Sequence, residues 1–508
     1  MPALDAELSP AASGPSVREV ARASRDRTLI LGAAFLVFAA LAGILIGELT
    51  LSGYTFGIAV LIWFLVPVIT WRWPPAGVVM LVGLALLFEE YPSIAGLKTI
   101  TEAVPIFKSL TVGAGLSGLA VNPAELIVAT VAMTWIAKAA AEGTLAAPRS
   151  HLAAGVALVV VAVIAGELHG LATGGNLTAS LWELRPWAYL ACLYLLAAQL
   201  FVSRRNILAF LWTLIIASGL KGLEGTLRYL LALRGASPPA ANVIAHEEAV
   251  FLGVYILLTS ALWMYGIKGR MRQVATALLP MVVFANLVNN RRTAYVVLGA
   301  GLAILLAVAW ARSPRRRWMT GGIAVAILSL TALYLPFFWN RTGVLAEPAS
   351  AIRSAIDPNR RDAASDLYRV IENTDLGIDI RATTPFGLGF GKPLPTTIGL
   401  PNLSNIDAFI AYEPHNTILY LWLRLGILGA IAFWWMVAAA VIAACRLARR
   451  SDPQIALIGI VVLVAIAAYL IEGWYDQGLV SLRVSIVIGA ALGTVEAAHR
   501  LTAVRHAR

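Results

Sequence analysis

The sequence predicts an all-α, polytopic transmembrane helical bundle, and three features of its 508 residues predict it. Hydrophobic residues make up 59% and charged residues 13%, where a soluble domain is about half apolar and about a quarter charged. Mean hydropathy is +0.79, and apolar runs close to the roughly 20 residues that cross a bilayer recur from end to end. Charges gather in short arginine clusters between those runs. The net charge of +11 therefore reads as loops facing the cytoplasm and not as a nucleic-acid surface. Cys192 and Cys445 are the only cysteines, and both sit in apolar runs. Neither a disulfide framework nor a zinc site is on offer, and no repeat of about 20–50 residues marks a solenoid.

Residues 1–28 are polar, and the apolar run after them ends without a small-residue cleavage site. A cytoplasmic tail and a retained helix are expected, not a signal peptide. Membrane spans are expected at about 29–47, 54–70, 75–88, 123–138, 152–168, 186–202, 206–230, 250–266, 273–289, 293–311, 319–338, 417–445, 454–472 and 478–497, from the span length a bilayer demands. The third is short, between Pro74-Pro75 and Glu89-Glu90, so the count is about 12–14, with 29–338 as the main bundle.

Orientation follows from the basic clusters. Arg18, Arg22, Arg25 and Arg27 precede the first helix, and alternate loops carry Arg204-Arg205, Lys268/Arg270/Arg272, Arg312 with Arg315-Arg316-Arg317, and Arg446/Arg449/Arg450. With Arg500, Arg505 and Arg508 in the tail at 498–508, all fall on one side of alternating helices. Both termini are then cytoplasmic. Residues 339–414 form a large extracytoplasmic loop domain, and 415–497 return to the membrane. Within the loop, 349–380 has amphipathic spacing and reads as helices across the outer face, whereas 385–401 is too rich in glycine and proline to be regular.

Chemistry is expected at that outer face. Pro414-His415-Asn416-Thr417 ends the long polar loop one step before an apolar run. An imidazole there, with a pKa lowered by the helix N-terminus, could accept a proton from a sugar hydroxyl, and Asn416 could hold the ring or the sugar. The competing reading is a helix start whose polar residues satisfy free backbone N–H groups. Asn289-Asn290-Arg291-Arg292-Thr293-Ala294 is a tight outward turn whose two arginines oppose the topology bias. They could bind phosphate through their planar forks or snorkel to headgroups.

Lys221, Glu224 and Arg228 share one face of an apolar helix. They read either as the lining of a wet cavity or as an internal Glu224–Arg228 ion pair. Glu183, Arg185 and Arg483 invite the same two readings. Gly387-Leu388-Gly389-Phe390-Gly391 lacks the preceding strand and following Lys-Ser/Thr of a nucleotide loop, so a backbone approaching substrate or membrane closely explains it better. No Asp-x-Asp pair, Gly-x-Ser-x-Gly or Walker motif occurs. Glu48 and Glu89-Glu90 are the obvious acids for a metal-dependent alternative.

Together these segments resemble the O-antigen ligase and polysaccharide polymerase superfamily. His415-Asn416 followed by Leu419, Leu421 and Gly426/Gly429 matches its His-Asn pattern, and Arg292-Thr293-Ala294 matches an arginine opening a helix. Arg369, ahead of Pro385-Phe386-Gly387-Leu388-Gly389, matches its loop arginine, although Asn373 stands near the place of a tryptophan common in the family. The resemblance implies an enzyme that transfers a glycan from undecaprenyl pyrophosphate to a lipid, glycan or protein acceptor, inverting and without metal or other cofactor. His415, Arg292 and Arg369 would be catalytic, with Arg291, Asn416, Lys221, Glu224, Arg228 and Arg185 around the substrate. A transporter or flippase is the alternative. It would show paired repeats or broken helices with midplane charges, whereas these charges gather at outer helix ends and in one asymmetric loop.

Overall fold

The computed structural model describes residues 65–90, 101, 106–107, 121–143, 148–235, 243–312, 314–383, 385–400 and 411–506. The expected tail at 1–28, the span at 29–47 and Glu48 lie outside these residues, as does most of 54–70, of which 65–70 is helical. The described chain is helical and contains no strand. Its helices are α1 (Pro75–Leu87), α2 (Pro123–Glu142), α3 (His151–Ala172), α4 (Leu177–Leu200), α5 (Arg204–Leu227), α6 (Glu248–Met264), α7 (Arg270–Val288), α8 (Arg292–Arg312), α9 (Pro314–Phe338), α10 (Glu347–Ile356), α11 (Arg360–Thr383), α12 (Thr417–Ala448), α13 (Pro453–Tyr475) and α14 (Leu482–His506). Among the described residues nine helices are long and apolar enough to cross a membrane, and α1 and α6 are shorter apolar helices. The protein is an all-α polytopic membrane protein.

The chain divides into two compact units, residues 1–74 with 129–147, and residues 75–128 with 148–508. In the first, Thr70 and Thr134 each bond back to a carbonyl of the preceding turn, Val66 and Thr130. Everything below concerns the second. Its centre is α14, packed along α4, and α13, packed along α12 and α8. The spanning window of α14 is 94% buried while that of α9 is 0% buried, so α9 is peripheral.

Two boundaries differ from the sequence reading. α4 begins at Leu177, nine residues early, because Asn176 caps it by accepting from the Ala179 N–H. Pro186 lies inside the helix and does not start it. Glu183 and Arg185 are therefore helical residues. At the other end, α14 starts at Leu482 because residues 476–481 form a tight turn, in which Leu479 N–H donates to Thr417 Oγ1 at 3.1 Å.

The glycine run docks closely on backbone. α12 is interrupted at Gly426, with φ 65° and ψ −170°. The break frees the carbonyls of Leu423 and Arg424, which accept instead from Leu388 N–H at 2.7 Å and Gly389 N–H at 3.1 Å. Gly389, also at positive φ, lies where a Cβ would meet the Gly170 backbone at 2.5 Å. The fully buried Arg424 guanidinium fixes the joint, donating to Gly389 O and Tyr412 O, both at 3.0 Å, and pairing with Glu183 at 2.6 Å.

A methyl group at Gly426 would collide with the Pro385 carbonyl at a backbone angle that disfavours side chains. Gly426→Ala should therefore lower stability by about 1–3 kcal/mol, read as a fall in the thermal unfolding midpoint in detergent. Gly299→Ala, in open space on α8, is the control and should not lower it. Equal midpoints for the two variants would show that the loop does not depend on the break.

Candidate active site

The turn between α7 and α8 owes its shape to Asn289 and Asn290. Asn290 adopts φ 51°, which asparagine tolerates better than most residues. The buried Asn289 amide accepts from Val243 and Ile244 N–H at 3.2 and 3.0 Å and donates to Ala245 O at 3.3 Å. This places Arg292 as the first residue of α8. Across from it, α11 presents Asp366, Arg369 and Glu372 at three-residue intervals, on nearly one face of the helix.

A cavity of about 490 Å³ lies between these elements. Arg292, Asp366, Arg369, Glu372, His415 and Asn416 make its polar wall. Val296 of α8, Ile352 and Ile356 of α10, and Trp474 of α13 make an apolar one. The Arg292 fork is engaged by Asp366, at 3.1 Å from Nη1 and 2.7 Å from Nη2. Arg369 Nε is buried and has no hydrogen-bond partner among the described residues.

His415 precedes α12 and is bound twice by one carboxylate. Its backbone N–H donates to Glu372 Oε2 at 3.0 Å, and its Nδ1 lies 3.2 Å from Oε1. The Tyr368 ring meets the imidazole edge-on at 5.6 Å between centroids. With Nδ1–H donated to the carboxylate, Nε2 is the nitrogen left to accept a proton. Asn416 caps α12, its Oδ1 accepting from Leu419 N–H at 3.1 Å. Its buried Nδ2 has no partner among the described residues, so capping leaves a donor over.

The expectation of a lowered His415 pKa is corrected. Burial does draw it down, as does Arg369, but the hydrogen bond and charge of Glu372, and the charge of Asp476, overcome both and raise it above its ordinary 6.5. Two nearby carboxylates outweigh the partial charge of a helix end. Asp476 itself is buried, which would raise it; His246, 3.5 Å away, with Arg291 and His415 holds it well below the usual carboxylate range. Arg291 lies within electrostatic reach of Asp476 and Glu472, beside the cavity and not in its wall.

Other candidates lie elsewhere. Lys221, fully buried, pairs with Glu89 at 2.6 Å and Glu224 at 2.9 Å, and Thr101 donates to Glu224. Arg228 opens a π-turn, Arg228–Ala232, that continues α5. Arg185 pairs with Glu125 at 2.7 Å over the Trp182 ring. None of these four candidates lines the cavity. Sequence reasoning missed Asp366, Glu372 and Asp476. The three-residue spacing around Arg369 was a usable signal for the first two. Nothing local marked Asp476.

Residues 275–434, from α7 into α12, match the family model of O-antigen ligase. This match supports membership of the O-antigen ligase superfamily. The matched segment contains Arg292, Arg369 and His415, and with them α10, α11 and the glycine run. A comparison with curated proteins finds no match. O-antigen ligase membership supports a multi-pass membrane enzyme of the ligase or polymerase type, acting on lipid-linked glycans, over a transporter.

Because its folded-state pKa is raised, His415 stabilises the fold below the ordinary imidazole pKa, and that contribution is lost as pH rises through the raised value. Glu372→Gln removes the carboxylate that favours the imidazolium. The His415 titration, followed by NMR of histidine-labelled protein, should then move to lower pH. A midpoint that stays put would show that Glu372 does not hold this proton.

Proposed function

We propose that the cavity receives a glycan carried on undecaprenyl pyrophosphate and transfers it to an acceptor hydroxyl on a lipid, glycan or protein. The observation that carries this reading is that Arg292 and Arg369, far apart in sequence, open onto one cavity with the His415–Glu372 pair. The apolar wall beside them suits the first isoprene units of such a donor.

The chemistry needs few groups. As the acceptor oxygen attacks the anomeric carbon, the bond from that carbon to the pyrophosphate oxygen breaks, and its electron pair leaves with the pyrophosphate. Arginine forks held in advance meet the negative charge growing there, a role that asks for no cation. His415 Nε2 takes the acceptor proton, and Glu372 steadies the imidazolium through Nδ1. Attack opposite the leaving group inverts the anomeric centre. Asn416 Nδ2 is placed to hold a sugar hydroxyl, and Arg291 to support the phosphate end from the side. Lys221, Glu224 and Arg185 serve in this reading as ion pairs between helices, and Arg228 as part of the same buried helix end.

The same reading puts residues 339–414 outside a bacterial cytoplasmic membrane and both termini inside. Reporter fusions at 314 and 345 should report opposite sides; the same side for both would remove the loop from the chemistry.

Purified protein with a lipid-pyrophosphate glycan tests the site. Arg292→Lys and Arg369→Lys should each lose about 10- to 100-fold in kcat/KM, since lysine keeps the charge but not the fork. A chelator should change little. Full activity in both variants would assign these arginines to folding or headgroup contact.

His415→Ala should still bind donor while transfer falls by about 10²–10⁴-fold. Wild-type rate should rise with pH through an ionisation above 6.5, because only the neutral imidazole is a base. Near-normal turnover in His415→Asn would exclude the base while leaving the arginines in place.

A further inference from the structure

Arg292 already has a partner within the protein. Asp366 takes both prongs of its fork, at 3.1 and 2.7 Å. A phosphate would use the same paired donors, so carboxylate and phosphate compete for one edge of one guanidinium. The neighbouring arginine is different, since Arg369 Nε is buried with no hydrogen-bond partner among the described residues. The occupying pair is also easily opened. Arg292 and Asp366 side chains are 32% and 39% exposed, and ion pairs this open to water are weak and exchangeable. Compare Arg424 and Glu183, both 0% exposed, which no substrate could part.

We propose that Asp366 is an internal stand-in for the donor phosphate, holding the Arg292 fork aligned in the empty site and yielding it when pyrophosphate enters. The idea rests on Arg292 being a donor ligand. It assigns Asp366 two effects on the reaction. Donor affinity is reduced by the cost of displacing the carboxylate, and the spent polyprenyl pyrophosphate leaves more readily because Asp366 recaptures the arginine. No bond is made or broken in the exchange, only hydrogen-bond partners.

The test uses full-length protein in nanodiscs and glycan-free undecaprenyl pyrophosphate as the probe, with binding measured directly. Asp366→Asn should bind it about two- to fivefold more tightly than wild type, the range an exposed pair allows, and turnover should become more sensitive to inhibition by this product. Asp366→Ser, which also removes the charge, is the second variant should the first fold poorly. In an Arg292→Gln background the gain should vanish. Asp362→Asn removes an equal charge one turn earlier, from a side chain bonded to Asn359, and should give a smaller gain.

Weaker or unchanged binding in the Asp366 variants would overturn the proposal. So would a gain that survives Arg292→Gln, or an equal gain in Asp362→Asn, since either would be charge acting at large. If Arg292→Gln alone binds the probe as wild type does, Arg292 is no phosphate ligand, and the functional reading of that residue falls together with this one. If Arg292→Gln weakens binding and Asp366→Asn does not tighten it, only the stand-in fails.

Discussion

Arg424 is the point on which the scaffold of the candidate site turns. Its guanidinium is fully buried, and it ties α12 to Glu183 of α4, to Gly389 of the glycine run and to Tyr412 just ahead of His415. Glu183 is as constrained, accepting from Tyr420 Oη and Gly391 N–H as well. Removing one member of a buried pair strands the other as an uncompensated charge, at a cost of about 3–5 kcal/mol. The placement of His415 therefore descends from an ion pair that lies outside the cavity wall. Gly426 makes the arrangement possible by breaking the helix where the loop needs acceptors.

A second set of buried charges organises the neighbouring helix ends. Arg483 of α14 reaches Glu248 of α6 at 2.5 Å and Ala85 O of α1 at 2.7 Å. Glu90 accepts from Leu482 N–H at 3.0 Å, and burial beside Glu247 pushes its carboxyl up to about 8. With Lys221, Glu89 and Glu224 close by in the same helices, the ends of α1 and α5 and the starts of α6 and α14 are stitched together. This explains why so many ionisable groups survive in so apolar a chain. Among the described residues they are cross-links between helices, set apart from the charges that face the cavity between α8, α11 and α12.

Much of this was legible in the sequence. Apolar period and length gave the apolar helices among the described residues, nine of them long enough to cross a membrane, and the mixed spacing after residue 349 gave α10 and α11. Arg292, His415 and Asn416 could be singled out because each broke a local rule, as a charge or cap where an apolar helix begins or a loop ends; Arg369, inside α11, came only from the family resemblance. Glu372 and Asp366 broke none, because acids on an amphipathic helix look like ordinary solvated residues. Their meaning depends on which residue the helix faces, and that is a tertiary fact. The sign of the His415 pKa was misjudged for the same reason: a helix end is visible in sequence, and a carboxylate arriving from 43 positions away is not. Pro186 misled in the opposite direction, being a strong local signal for a start that the Asn176 cap had already provided.

Consider finally how the cavity is divided among elements. Asp366, Arg369 and Glu372 all ride on α11, whereas Arg292 opens α8 and His415 precedes α12. In the proposed reading, the segment that carries the base's orienting partner also carries one of the two phosphate arginines and the residue that competes for the other. Variation in this segment thus cannot retune acceptor choice alone, because donor grip and base strength travel with it. Exchanging residues 339–414 between relatives would swap half of a catalytic apparatus as a single cassette. Divergence in what such proteins build is then most freely drawn from α10, which borders the cavity without holding its charges.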